Sequence, residues 1–88
     1  MKVLFAKTFV KDLKHVPGHI RKRIKLIIEE CQNSNSLNDL KLDIKKIKGY
    51  HNYYRIRVGN YRIGIEVNGD TIIFRRVLHR KSIYDYFP

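Results

Sequence analysis

The chain is 88 residues long and carries 19 Lys and Arg against eight Asp and Glu, a formal charge of +11 and a pI near 10.1. Its 43% hydrophobic content, with six Tyr and four Phe, excludes a disordered basic tail and leaves one domain, residues 1–88, with a small core. A domain of this size buries roughly 60–65% of its extended surface, so so large a positive excess opposes compactness unless a polyanion, nucleic acid or acidic protein, offsets it.

In chain order, KVLFA (residues 2–6) suits a short strand, and Thr8 is a candidate cap for a helix whose apolar positions are Phe9, Leu13 and Val16. The opening MKVLFAKTF is too short an apolar run for a signal peptide, and no stretch reaches the roughly 18 apolar residues of a membrane span. A cytoplasmic location is therefore expected. Pro17-Gly18 interrupts the helical pattern and starts a second helix running to about Gln32. On it Ile20, Ile24, Ile27, Ile28 and Cys31 form one apolar stripe, with Arg21, Lys22, Arg23 and Lys25 on the remainder of its first half. Cys31 is the single cysteine, which excludes an internal disulfide; a buried, inert thiol is expected. Asn33-Ser34-Asn35-Ser36 breaks the helix, and Leu37–Lys48 fits either a strand or a helical turn.

Residues 53–67, YYRIRVGNYRIGIEV, are two alternating runs around Gly59-Asn60, a two-residue hairpin loop. That register sets Ile56 against Ile63 and Tyr54 against Ile65 on one face. On the other it sets Arg55 against Gly64 and Arg57 against Arg62, a like-charge pair costing roughly 0.2–1 kcal/mol. Asn68-Gly69 then predicts a second two-residue loop, with Ile72 beside Ile65, Phe74 beside Ile63, Arg75 beside Arg62 and His79 further along the arginine side. A three-residue loop would instead turn Ile73 and Val77 inward. The fold expected is α+β: an N-terminal strand and two helices packed on one face of a small, mainly antiparallel sheet of about four strands.

The four histidines show no ligand pairing with carboxylates, so neither metal nor cofactor is expected. Phosphate loops and a serine nucleophile elbow are absent. What stands out is a face of arginines rimmed by tyrosines. Guanidinium groups bind phosphate in a bidentate fork, aromatic rings stack on unpaired bases, and facing arginines make sense when a phosphate sits between them. RNA is cut without metal when its 2′-OH attacks the adjacent phosphodiester. That needs a proton acceptor, a stabiliser of the pentavalent phosphate and an acid for the leaving 5′-oxygen. Arginines suit the second task, and Tyr84, His79 or a basic group of lowered pKa the others.

The run YYRIRVGNYRIGIEV, the preceding IKGY and the tail VLHRKSIYDYF together resemble the RelE/ParE superfamily of bacterial and archaeal type II toxins, over nearly the whole chain. For the RelE branch the resemblance implies a toxin that cleaves mRNA in the ribosomal A site without metal, using basic residues and a tyrosine. It also implies an acidic RelB-like antitoxin partner, contact with rRNA, and higher-order toxin–antitoxin complexes. By motif position, Arg55 and Arg57 match basic hairpin positions, Arg62 a phosphate contact, Arg80 the basic residue of the tail and Tyr84 its tyrosine. Arg75, Lys48, Tyr53 and Tyr86 are the surrounding substrate contacts. Two departures stand out. Arginine replaces the lysine of some active members, and arginine is a poor proton acceptor. The tail is also short, which brings in His79; where other branches use a Glu–His pair the glutamate is unassigned here, Glu66 reaching the right face only under this hairpin register. The alternatives are a ParE-like toxin that binds DNA gyrase and cuts nothing, and a nucleic-acid binder whose affinity falls steeply with salt.

Overall fold

The alternating runs become strands β3 (Tyr53–Val58), β4 (Tyr61–Asn68) and β5 (Thr71–His79), joined by β1 (Lys2–Phe5) and a short β2 (Ile44–Lys46). The computed structural model describes all 88 residues and orders these strands β1-β5-β4-β3-β2. β1 lies parallel to β5, and the other neighbours are antiparallel. The sheet thus has five strands rather than about four. The ambiguous segment resolves into a single 3-10 turn, Leu37–Asp39, followed by β2 on one edge, while β1 takes the other.

Helices α1 (Lys7–Leu13) and α2 (Gly18–Asn33) cover one face of this sheet. Four of the five stripe residues on α2, Ile20, Ile24, Ile27 and Cys31, are buried against Ile56, Val58, Ile63, Ile65, Ile72, Phe74 and Val77, while Ile28 is only partly buried at the margin. Phe9 packs edge-on against Phe74, with ring centres 5.3 Å apart, and Phe5 joins them. Each such side chain taken out of water contributes about 1.5–3 kcal/mol. No acidic residue sits in the first turn of α2, so packing rather than its dipole holds it. At its far end the amino group of Met1 donates to the carbonyls of Cys31 and Gln32 (3.1 and 3.3 Å), satisfying acceptors that the helix leaves open. Burial, aided by Glu30, pushes the Cys31 thiol up to about 11, so it is protonated and inert near neutrality. No helix is long and apolar enough to cross a membrane.

The first hairpin has the register its sequence predicts, from Val58 opposite Tyr61 to Tyr54 opposite Ile65. The second does not. Its loop residues are Gly69-Asp70, one position later than Asn68-Gly69, so Asn68 pairs with Thr71 and Ile65 with Phe74. The ladder then slips between Gly64 and Ile65: Gly64 pairs with Arg76, Ile63 with Val77, Arg62 with Leu78 and Tyr61 with His79. Arg75 is the extra residue of this bulge. Ile72 and Phe74 point inward as expected, but so does Val77, and Ile73 does not.

The bulge survives because α1 supplies what the ladder lacks. Thr8 does not cap α1, whose N-cap is Ala6; its hydroxyl donates to the carbonyl of Arg75 at 2.9 Å. The Asp12 carboxylate accepts from the Val77 N–H (3.1 Å) and from Arg76 Nε (2.7 Å). β1 pairs with β5 only as far as Phe74, so these side chains occupy the stretch of β5 that would otherwise be an open edge.

The other sheet face carries a second, smaller apolar cluster. After β5 the chain forms a single turn, α3 (Ile83–Tyr86), and returns over β4 and β5, burying Ile83 and Phe87 outside the main core. Phe87 lies flat on Gly64, where a Cβ would stand 2.5 Å from its Cδ2, and meets Tyr53 nearly edge-on, ring centres 5.5 Å apart.

Candidate active site

The hairpin β3–β4 brings the arginines together at its tip. Gly59 adopts a φ of 58°, the left-handed conformation that lets a two-residue loop close, so Arg57 and Arg62 stand directly opposite on the face away from the helices. Arg62 Nη1 donates to the carbonyls of Gly59 and Tyr61, both at 2.9 Å, which holds the guanidinium against the loop. Burial first, then the charges of Arg57 and Arg55, lower the Arg62 pKa from its ordinary value; Tyr84 acts in the opposite sense and Arg80 adds to the lowering. Arg62 thus feels the charges of Arg55, Arg57, Arg80 and Tyr84.

Arg55 is mostly covered, its side chain 16% exposed, and Nη1 is 3.1 Å from Asp43 Oδ1. Arg57 is 60% exposed, and its Nη1 is 4.0 Å from Asp43 Oδ2. A carboxylate therefore stands between two guanidiniums, as a phosphate oxygen pair would. Arg80 follows β5, and its backbone N–H donates to the Asn60 carbonyl at 2.8 Å, tying the start of the tail to the hairpin loop. Tyr84, on α3, is 61% exposed.

The remaining expected residues sit elsewhere. Tyr53 and Lys48 lie at the opposite end of β3, about 13 Å from the tip at the usual rise of a strand. Lys48 is exposed in the loop before β3, beside Gly49, Tyr50 and His51. Arg75 is not beside Arg62: the bulge carries it to Glu66, with Nη1 3.3 Å from Oε1. Tyr86 lies against Arg76, whose guanidinium carbon is 5.5 Å from the ring centre, and borders a recess with Tyr53, Arg75 and Phe87. His79 departs furthest. The bulge turns it to the helix side, where it packs against Tyr61 (5.5 Å between ring centres) and lines a cleft with His19 and Arg23. Its Nδ1 accepts from the Lys81 N–H at 3.2 Å. Glu66 does lie on the arginine face, opposite Tyr53, but is held by Arg75 and Asn68 and is separated from His79 by the sheet.

The sequence reading missed Asp43, which carries no motif, and the pairing of Gly64 with Phe87. Gly64 had a legible signal, since a glycine inside a strand marks a bulge or a close approach. Here it marks both.

A hairpin tipped with arginines and a tail that returns over the sheet are features this chain shares with known proteins. A family model for the ParE toxin of the type II toxin-antitoxin system parDE matches residues 3–84, and the chain belongs to that family, in the RelE/ParE superfamily. Its relatives place it in the RelE-like branch. It is 36% identical over 80 residues to a Methanocaldococcus jannaschii protein named RelE1, covering 89% of this chain and 88% of that one. The crystal structure of a RelB-RelE antitoxin-toxin complex from Methanococcus jannaschii contains a chain 96% identical, with a TM-score of 0.85 over 97% of this chain and 99% of that one. An archaeal RelE-RelB complex from Pyrococcus horikoshii OT3, 24% identical with a TM-score of 0.73 over 93% and 97% of the two chains, shares the fold.

Proposed function

We propose that this RelE-type toxin is a metal-independent endoribonuclease that cuts mRNA in the ribosomal A site and is held inactive by an acidic, RelB-like antitoxin. The observation that carries the reading is Arg57 standing directly opposite Arg62 at the hairpin tip, with the Asp43 carboxylate lodged between Arg55 and Arg57 where an anion fits. Such a site is relieved by an anion. In the reaction the 2′-oxygen attacks phosphorus, its proton leaves to an acceptor, the P–O5′ bond breaks, and the 5′-oxygen takes up a proton. The products are a 2′,3′-cyclic phosphate and a 5′-hydroxyl. Arg57 and Arg62 bind the phosphate that gains charge, Arg55 and Arg80 add to the positive field, and Tyr84 stacks on or orients the nucleotide. Because arginine keeps its proton, the cluster acts on charge rather than as the base. Lys48, Tyr53, Arg75 and Tyr86, at the far end of the face, suit flanking nucleotides or rRNA. The antitoxin is proposed from the RelB-RelE complexes and from the +11 charge, which favours an acidic partner.

Induced expression with primer extension on a translated mRNA tests this, comparing the parent with Arg62→Ala and Tyr84→Phe. Codon-phased cuts with cyclic phosphate ends, lost in the variants, support the nuclease. The family model bearing the ParE name favours a second reading, a toxin that binds gyrase. Growth arrest with intact mRNA would select it.

A further inference from the structure

We infer that Gly64 and Phe87 form a latch that positions Tyr84, and that neither touches substrate. The inference rests on the reading of Tyr84 as a site residue. Tyr84 is an exposed side chain on a helix of one turn, Ile83–Tyr86, too short to hold its own conformation. What fixes it is the pair of residues on either side. Ile83 is fully buried and Phe87 is 4% exposed; four residues apart, they put the same side of the turn on the sheet, and the Phe87 N–H donates to the Ile83 carbonyl at 2.9 Å.

Phe87 reaches the sheet only because β4 has no side chain at Gly64. A Cβ there would stand 2.5, 2.6 and 2.7 Å from three ring atoms, closer than carbon atoms approach. Gly64 shows no positive φ, so its backbone conformation does not demand glycine. The missing side chain is a socket. Its neighbours on the same strand face are Arg62 and, across the ladder, Arg55, so the socket is built into the strand that carries the phosphate site. Ile83 and Phe87 lie outside the main core, so opening the latch removes no residue from that core.

The test compares Gly64→Ala, Phe87→Ala, Phe87→Leu and Tyr84→Ala in ribosome-dependent cleavage, with kcat and KM separated, alongside hydrogen exchange of the tail amides. Gly64→Ala and Phe87→Ala are expected to lower kcat at least tenfold with KM for the programmed ribosome within about threefold, since the arginines stay on their strands. Tail amides lose protection while those of β3–β5 keep it, and Phe87→Leu recovers most of the activity. Combining Gly64→Ala with Tyr84→Ala is expected to cost no more than Tyr84→Ala alone. Parental cleavage by Gly64→Ala, or losses that multiply in the double variant, would overturn the latch. Parental cleavage by Tyr84→Ala would instead overturn the site assignment, and the latch with it.

Discussion

Strand β4 belongs to two hairpins built on the same kind of loop. Gly59-Asn60 and Gly69-Asp70 both place glycine first, with φ 58° and 60°. The hairpin β3–β4 then holds one register through all six of its pairs, whereas β4–β5 slips after Phe74. The regular hairpin needs nothing from outside to place Arg57 against Arg62. The bulged one depends on Thr8 and Asp12, side chains 67 and 64 residues away in sequence from the residues they hold. Local pattern can therefore locate the charge cluster, while the position of Arg75 and the face of His79 are decided by long-range contacts.

The comparison is broken most severely by Arg62→Ala. Removing one charge-stabilising donor is expected to lower single-turnover cleavage by about a hundredfold or more. Thermal unfolding should show the variant about as stable as the parent, since relief of a like-charge pair offsets the loss of two partly exposed hydrogen bonds to Gly59 and Tyr61. Loss of folding would make Arg62 structural. Asp12→Ala attacks the other hairpin. Asp12 and Arg76 are 11% and 23% exposed, so the variant leaves a guanidinium and the Val77 N–H half-buried and unpaired. A loss of about 2–4 kcal/mol in a urea titration is expected, with cleavage per folded molecule less affected.

Asp43→Asn sharpens the picture of the regular hairpin. Releasing Arg55 and Arg57 from an exposed carboxylate is expected to tighten RNA binding by about two- to fivefold, measured by fluorescence anisotropy at low salt. Weaker binding would mean that Asp43 orients the guanidiniums rather than competing for them. The smallest effect belongs to His79→Gln. With its ring on the helix side, cleavage within about twofold of the parent is expected. A larger fall would give the histidine a part in the reaction despite its face.

Much of this was legible beforehand. The stripe from Ile20 to Cys31, the strand KVLF and every pair of the first hairpin follow from periodicity and loop chemistry. The rule that reads Gly59-Asn60 as a loop applies equally to Gly69-Asp70. Asn68-Gly69 misleads because both dipeptides suit tight turns and they overlap by one residue. The bulge had no local signal strong enough to decide it: Asp12 and Thr8 favour it through contacts that only the assembled sheet creates. The parallel pairing of β1 with β5 and the seating of Phe87 on Gly64 are likewise properties of the assembled chain. Arg55, Arg57 and Arg62 share the hairpin face that alternation predicts, the slip in β4–β5 displaces Arg75 and His79, and Lys48 and Tyr53 stand apart simply because they lie at the other end of β3.

The excess positive charge that Asp43 leaves at the hairpin tip also makes the folded state responsive to its solvent. An anion that binds the native tip and not the unfolded chain shifts the folding equilibrium by mass action, by about 2.7 kcal/mol at a hundred times its dissociation constant. For a domain this size that is a rise in melting temperature of about 10–20 °C. The same chain should then look marginal in a zwitterionic buffer and robust in phosphate, so the choice of buffer becomes a probe of the site.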